Sequence, residues 1–376
     1  MTTPRLFTPF TLRSITLPNR IVISPMCMYS ATDGLADSFH FAHLAKFAMG
    51  GAGCVFVEAT AVLKDARITY GDLGLWNDAQ TEALRPIASF LRARGSVPAI
   101  QLAHAGRKAS SQRPWHGNGP LDRTDFARGE PNVRTVAPSA LPIAEGWLVP
   151  HEATAADMAE IVAAFAASAR RAHAAGFDVV ELHAAHGYLL NSFLSPIANK
   201  RTDQYGGSRA NRMRFPLAVV DAVRAAWPAE KPLFVRISSV DGVEGGWELD
   251  DSVAFALELK QRGVDAIDCS SGGIGGSATA ARIVRAPGFQ VPFAAEIRKR
   301  AGIATQAVGL ILTADQAEQI LQSDSADLVA IAREALNDPF WPRHAAAHFG
   351  VDEKYEQWPP QYGWWLSRRA KFSVKS

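Results

Sequence analysis

The chain has 376 residues, 48% of them hydrophobic and 20% charged, a composition too apolar for disorder over most of its length. A formal net charge of +2 argues against nucleic acid or a membrane surface as a partner. The three cysteines (Cys27, Cys54 and Cys269) include no CxxC pair, which excludes a structural zinc or iron–sulfur cluster, and with no leader-like start or apolar run of roughly 18 residues a cytoplasmic protein is expected.

In chain order, apolar strand-like runs alternate with helical patterns. The first strand is expected at 21–26, followed by a helix near 39–49, a strand at 54–59, a helix at 79–94 and a strand at 97–103. Residues 104–150 are rich in Gly, Pro, Trp and charge, and a connection that long is expected to cap one end of the sheet. Thr154 and Asp157 form a capping-box pattern, Met158, Ile161, Val162 and Phe165 follow at helical spacing, and Gly176 stands where a helix would end. Further strands are expected at 178–183, 233–238, 266–270, 304–309 and 327–331, with helices at 210–227, 251–262, 292–300 and 313–321.

Eight such units imply an α/β fold, a (β/α)8 TIM barrel whose site lies at the carboxyl ends of the strands. A doubly wound sheet is the alternative, and no GxGxxG follows the first strand to support it. The whole of 1–376 is expected to form one domain, with 104–150 as its cap and 352–376 as an extension near the site or a subunit interface.

Alternation along the strands assigns faces. Leu233, Val235 and Ile237 would face the outer helices, turning Phe234, Arg236 and Ser238 inward; Ile100 and Leu102 leave Gln101 inside, and Glu181 and His183 share an inward face. Barrel interiors are normally branched aliphatic, so inward Gln101, Glu181, His183 and Arg236 are costly unless they have a use.

The fourth strand runs directly into His183, His186 and Tyr188. Read as metal ligands, the histidines lack a third partner and an HExxH helix; read structurally, they are a hydrogen-bonded pair beside the cap. At a barrel mouth, paired donors to a carbonyl or anionic oxygen with a phenol able to deliver a proton is the favoured reading. It requires the chain to turn after His183, which Gly187 permits.

Cys27, just past the first strand, is either a small buried hydrophobe or a thiol at the mouth, and Tyr29 could line the same opening. Gln101 can donate and accept along a planar heterocycle, and Arg236 would supply positive charge beside it unless it pairs with Glu181. Gly309 and Ala332-Arg333 end the last two strands, where barrels commonly hold phosphate. The glycine-rich run from Ser270 to Gly276 is a weaker candidate, or only a mobile loop, and 199–212 reads as a polar loop capping the next helix.

Ser24-Pro25-Met26-Cys27, Glu58-Ala59, Gln101-Leu102-Ala103-His104-Ala105-Gly106-Arg107-Lys108, His183-Ala184-Ala185-His186-Gly187-Tyr188 and Arg201…Tyr205-Gly206-Gly207-Ser208…Asn211-Arg212, in this order, resemble the Old Yellow Enzyme family of FMN-dependent ene-reductases. The match extends over about residues 7–365, and the cysteine after the first strand resembles the bacterial branch that includes YqjM and xenobiotic reductase A. The resemblance implies noncovalent FMN reduced by NADPH or NADH, which then reduces small activated alkenes (unsaturated carbonyl or nitro compounds) in a ping-pong reaction, and a homodimer or homotetramer. It implies that Ser24, Pro25, Met26, Cys27 and Ala59 line the flavin, with Gln101 and Arg236 on its pyrimidine edge and Gly309, Ala332 and Arg333 at its phosphate. His183 and His186 would hold the substrate oxygen, Tyr188 would protonate the product, and Tyr29 and an aromatic wall including Trp365 would contact substrate. No metal is expected.

Ala332 departs from the glycine found in one branch of that family. The tryptophans of Gln361-Tyr362-Gly363-Trp364-Trp365 stand where some relatives insert an arginine into a neighbouring subunit. Two rivals differ in class. A flavin-free barrel lyase would need a Schiff-base lysine or a metal, and no expected strand ends in lysine; a non-catalytic binding protein leaves the proton donor unexplained.

Overall fold

The computed structural model describes residues 3–275, 283–370 and 372. Eight parallel strands close on themselves: β1 (Ile21–Ile23), β2 (Cys54–Ala61), β3 (Val97–Ala103), β4 (Val179–Ala184), β5 (Leu233–Ser238), β6 (Ala266–Ser270), β7 (Ala304–Val308) and β8 (Leu328–Ile331). Closure comes where β8 pairs with β1, Val329 opposite Ile21 and Ile331 opposite Ile23. Helices α1 (Ser38–Met49), α2 (Asp78–Ala93), α3 (Ala155–Ala175), α4 (Arg209–Ala226), α5 (Leu249–Gln261), α6 (Val291–Ala301) and α7 (Ala314–Gln322) alternate with the strands, as a TIM barrel requires.

Each strand divides its side chains between two cores, because neighbouring residues point to opposite faces. Ile100, Leu102, Leu233, Val235 and Ile237 join the layer between barrel and helices. Val22, Phe56, Ala99, Val179, Phe234 and Leu328 fill the barrel floor, where the Phe56 and Phe234 rings lie 6.1 Å apart. A hairpin of Phe10–Leu12 and Ile15–Leu17 closes the floor from below, with Leu17 fully buried in it. Sequence periodicity does not reveal this hairpin, since three residues are too few to show an alternation.

Several boundaries differ from expectation. β1 stops at Ile23, not residue 26, because Pro25 has no N–H for a ladder. β2 continues to Ala61 through a bulge: Val57 pairs with Ile100 and Ala59 with Gln101, leaving Glu58 as the extra residue. α3 begins and ends as its sequence indicates. Thr154 Oγ1 accepts from Asp157 N (3.1 Å), Asp157 accepts from Thr154 N (2.9 Å), and Gly176 ends the helix at φ 98°. The expected cap holds short turns, a helix at Arg123–Ala127 and a strand, Val136–Ala137, that pairs with His151–Glu152. In the loop before α4, Ser208 Oγ accepts from Asn211 N, the capping role its composition suggests.

Candidate active site

The turn after β4 determines where the two histidines go. His186 lies in the left-handed region at φ 59° and Gly187 follows at φ 74°. A Cβ on Gly187 would stand 2.2 Å from the Gly273 carbonyl oxygen, so glycine is required there. The turn brings the His183 and His186 rings to 5.1 Å in an edge-on arrangement, and the Tyr188 ring lies 4.8 Å from that of His183.

The proton positions follow from the neighbours. Ala185 N–H donates to His183 Nδ1 at 3.2 Å, which leaves the His183 proton on Nε2. Ser270 Oγ lies 2.6 Å from His186 Nε2 and donates its own proton toward Gln290 Oε1 at 3.5 Å, so it accepts from His186 Nε2–H. His183 Nε2 and His186 Nδ1 are 3.3 Å apart, so His183 donates to His186, and the two rings form a hydrogen-bonded chain that ends on Ser270. Burial, reinforced by the charges of Arg236 and Lys108, holds both imidazoles well below their ordinary titration range, and both are neutral. Burial, with Cys27 and Asp72 nearby, pushes Tyr188 well above the usual phenol range, so it keeps its proton.

The turn is tied down from three sides. Ser238 Oγ accepts from His186 N (2.9 Å) and donates to Gly272 O (2.7 Å), and Gly187 N donates to Asn191 Oδ1 (2.7 Å). Lys108 Nζ donates to the carbonyls of His186 (2.6 Å) and Gly273 (2.7 Å). The glycine-rich run thus acts, as far as Gly275, as a packing surface for the histidine turn; Gly276 lies outside the described residues.

Beneath the histidines runs a belt of inward polar side chains. Gln101 Nε2 donates to Glu181 Oε1 at 2.8 Å, and Arg236 pairs with Asp268 at 3.2 Å. The sequence alternative of an Arg236–Glu181 bridge is corrected here. Barrel register sets Asp268 beside Arg236, whereas Glu181 stands between Gln101 and Phe234. Burial, with the nearby charge of Asp268, raises Glu181 well above the carboxylate range; burial also raises Asp268, but Arg236 opposes it. Arg236 opposes the rise at Glu181 too, but its direct ion pair is with Asp268.

Ser24, Pro25, Met26 and Cys27 leave the end of β1. Ser24 N donates to Ile331 O at 3.0 Å, while its buried Oγ has no partner among the described residues. Cys27, Tyr29 and Tyr188 pack around Ile68, Ala105 and Ala109. Burial pushes the Cys27 thiol up, and the neighbouring Glu58 adds to the effect, so it is a thiol and not a thiolate. Glu58, displaced by the β2 bulge, accepts from Met28 N at 2.5 Å and holds the chain that carries Cys27.

Two cavities open at the mouth. One, of about 210 Å³, is lined by Arg236, Ser270, Gln290, Gly309, Ala332 and Arg333, among others. The other, of about 310 Å³, is lined by Tyr29, Lys108, Ser111, Trp147 and Tyr188, and His186 borders both. Gly309 sits at φ 119°, and a Cβ there would come within 2.8 Å of Gln290 Nε2, so the first cavity needs its glycine. Arginines at the rim, an unpartnered Ser24 hydroxyl, and Gln101 with Arg236 below suit the phosphate and polar ring edge of FMN. Trp365 lines neither cavity. It stands exposed on a C-terminal helix, Pro360–Arg369, with its ring against Trp364.

Asp268 and Gln290 were not singled out by sequence reasoning; Ser238 was placed inward, Ser270 opened the glycine-rich run and Lys108 closed the motif after β3, but none was given a part in the site. The family model for the NADH:flavin oxidoreductase / NADH oxidase family matches residues 5–351.

The chain belongs to this family.

It is the Old Yellow Enzyme family named by the motifs. An NADPH dehydrogenase of Geobacillus sp. (strain WCH70) is 47% identical over 92% of this chain and 95% of its own length. An NADPH dehydrogenase of Bacillus licheniformis is 47% identical with the same coverage. Among solved structures, a morphinone reductase superposes with a TM-score of 0.76 at 29% identity, over 92% of this chain and 90% of that one. This Old Yellow Enzyme member is thus a flavin-dependent oxidoreductase, with FMN as cofactor and NAD(P)H as reductant. Among the described residues no helix is long and apolar enough to cross a membrane, and no group of three His, Cys, Asp or Glu is placed to hold a metal.

Proposed function

We propose that the enzyme is an NAD(P)H-dependent ene-reductase that saturates the C=C bond of α,β-unsaturated carbonyl or nitro compounds. The observation that carries this reading is the pair of neutral imidazoles, hydrogen-bonded through His183 Nε2 and His186 Nδ1 at 3.3 Å, with a protonated tyrosine at their side. FMN would supply the hydride chemistry, taking hydride from the nicotinamide and delivering it to the alkene β-carbon.

The chain's own residues do the rest. Gln101 and Arg236 hold the polar edge of the cofactor ring, Ser24, Pro25, Met26, Cys27 and Ala59 line it, and Gly309, Ala332 and Arg333 hold its phosphate. His183 and His186 receive the carbonyl or nitro oxygen as negative charge develops on it; one such preorganised donor is typically worth about 3 kcal/mol. Tyr188 donates its proton to the α-carbon, a step in which a general acid contributes roughly 10²–10⁴ in rate. Cys27, held as a thiol, adjusts the cofactor's potential, and Tyr29 contacts the substrate. In this proposal 1–376 is one FMN-binding domain of a cytoplasmic homodimer or homotetramer. The C-terminal helix, Pro360–Arg369, lies at a subunit interface, which would carry Trp365 to a site it does not reach within its own chain.

Purified protein should show a flavin spectrum and oxidise NADPH in the presence of cyclohexenone. Tyr188→Phe should leave reduction by NADPH rapid and slow the alkene half-reaction by about 10² or more. A protein that cannot be reconstituted with FMN would reject the cofactor placement, and an unslowed alkene half-reaction in Tyr188→Phe would reject the proton donor.

A further inference from the structure

Lys108 is an unusual group for a cavity wall. It stands on the Gly106–Lys108 turn after β3, partly buried, with Nζ donating to the carbonyls of His186 and Gly273 at 2.6 and 2.7 Å. An ammonium has three N–H groups, and two are accounted for. No carboxylate pairs with it among the described residues, whereas the adjacent Arg107 is occupied by the carbonyls of Leu141, Pro142 and Ile274. Of the residues lining the cavity of about 310 Å³, Lys108 alone carries a formal charge, because His186 is held neutral and Tyr29 and Tyr188 keep their protons. Its ammonium lies 5.4 Å from the Tyr188 ring centroid, on the same wall as the proposed proton donor.

We propose that Lys108 is a specificity-determining residue that recognises a carboxylate on the alkene, set apart from the carbonyl or nitro group held by His183 and His186. This rests on the assignment of that cavity as the alkene site. A buried cation without a counter-ion is costly, and an acidic substrate supplies the missing anion, whereas a neutral analogue leaves the cost in place. The cavity therefore favours activated alkenes that carry a second, acidic group.

The groups facing Lys108 define its pH dependence. Burial, with Arg107 next in effect, brings Lys108 down to about 7. His183 and His186, on the turn after β4, stay neutral, Tyr188 stays protonated, and the loop carrying Gly273 presents only backbone. Asp72, behind Thr69 in the same wall, is raised by burial to about 7 and titrates in the same range. The ammonium is present below about pH 7 and lost above it, so affinity for a carboxylate is greatest on the acid side and falls as pH rises through that value. A pH dependence that comes from Asp72 would persist without the lysine.

The test uses the FMN-loaded enzyme and a matched pair of probes, 4-oxocyclohex-2-ene-1-carboxylate and its methyl ester, with binding read from the perturbed flavin absorbance. At about pH 6.5 the acid should bind ten- to a hundredfold more tightly than the ester, and the advantage should shrink by about pH 8.5. Lys108→Met, which also releases the histidine turn, should weaken both probes but the acid about ten- to a hundredfold more, removing the advantage and its pH dependence; Lys108→Arg should retain it. Equal losses for acid and ester in Lys108→Met, or no acid preference in the unaltered enzyme while the ester still binds, would overturn the role of Lys108 alone. If neither probe perturbs the flavin, the alkene-site assignment falls, and this proposal with it.

Discussion

Ser270 shows how much of the candidate chemistry depends on a residue that touches no substrate in the proposed reaction. Its hydroxyl is 2.6 Å from His186 Nε2, and that contact selects which ring nitrogen of His186 carries the proton. A ligand oxygen between the rings needs the His186 proton on Nδ1, and the Ser270 hydroxyl permits this by turning from Gln290 to donate to Nε2. Ser270→Ala should therefore weaken binding of phenols and enones, ligands that offer an oxygen to the pair, by about tenfold or more. Ser270→Thr, which keeps the hydroxyl, should restore most of it. An alanine variant with unchanged affinity across a ligand titration would mean that the tautomer is fixed by other means. The His183-Ala-Ala-His186-Gly-Tyr188 pattern reveals the donors in the sequence, whereas Ser270, eighty-four residues away, shows there only as the start of a glycine-rich run and not as the partner of His186.

Elements behave the same way: what is local is legible, and what is shared between elements is not. α3 announces both its ends, because Thr154, Asp157 and Gly176 satisfy its terminal groups from within a few residues. The turn after β4 is legible as a turn from Gly187, but its tightness comes from the loop after β6, where Gly273 O occupies the space a Cβ would need. Gly187→Ala should thus force two backbones apart, lowering stability by about 1–3 kcal/mol and loosening His186. Calorimetric melting together with phenol affinity would register both; a variant that melts normally and binds normally would show that the two loops separate at no cost. The β2 bulge is a similar case. Glu58 follows Val57 without any turn residue between, and only pairing with β3 reveals that it has been displaced to hold Met28.

At the scale of the whole molecule the barrel interior has two zones, an apolar floor and a polar belt above it. The floor stabilises the fold through close packing, and Phe56, 1% exposed and against Phe234, stands at its centre. Phe56→Ala should cost about 3–5 kcal/mol in urea unfolding, whereas Phe56→Leu should cost clearly less. Equal, small losses for both would place the stability in the outer layer of helices instead. The belt has the opposite character: Arg236 with Asp268, and Gln101 with Glu181, keep buried charge and polarity satisfied directly under the mouth.

By itself the sequence determined the barrel, the inward and outward faces of the β3, β4 and β5 residues it named, the helix caps of α3 and the set of residues at the strand ends. These are consequences of periods and caps that span a few residues, and a family resemblance carried on separated motifs sharpened them. Tertiary structure alone decided that Arg236 takes Asp268 and not Glu181, that Lys108 clamps the histidine turn, that the N-terminal hairpin closes the floor, and that Trp365 stands away from its own chain's cavities. Each of those depends on strand register or on the approach of segments far apart in the chain, and a period of two or of 3.6 residues carries no information about which distant strand lies alongside.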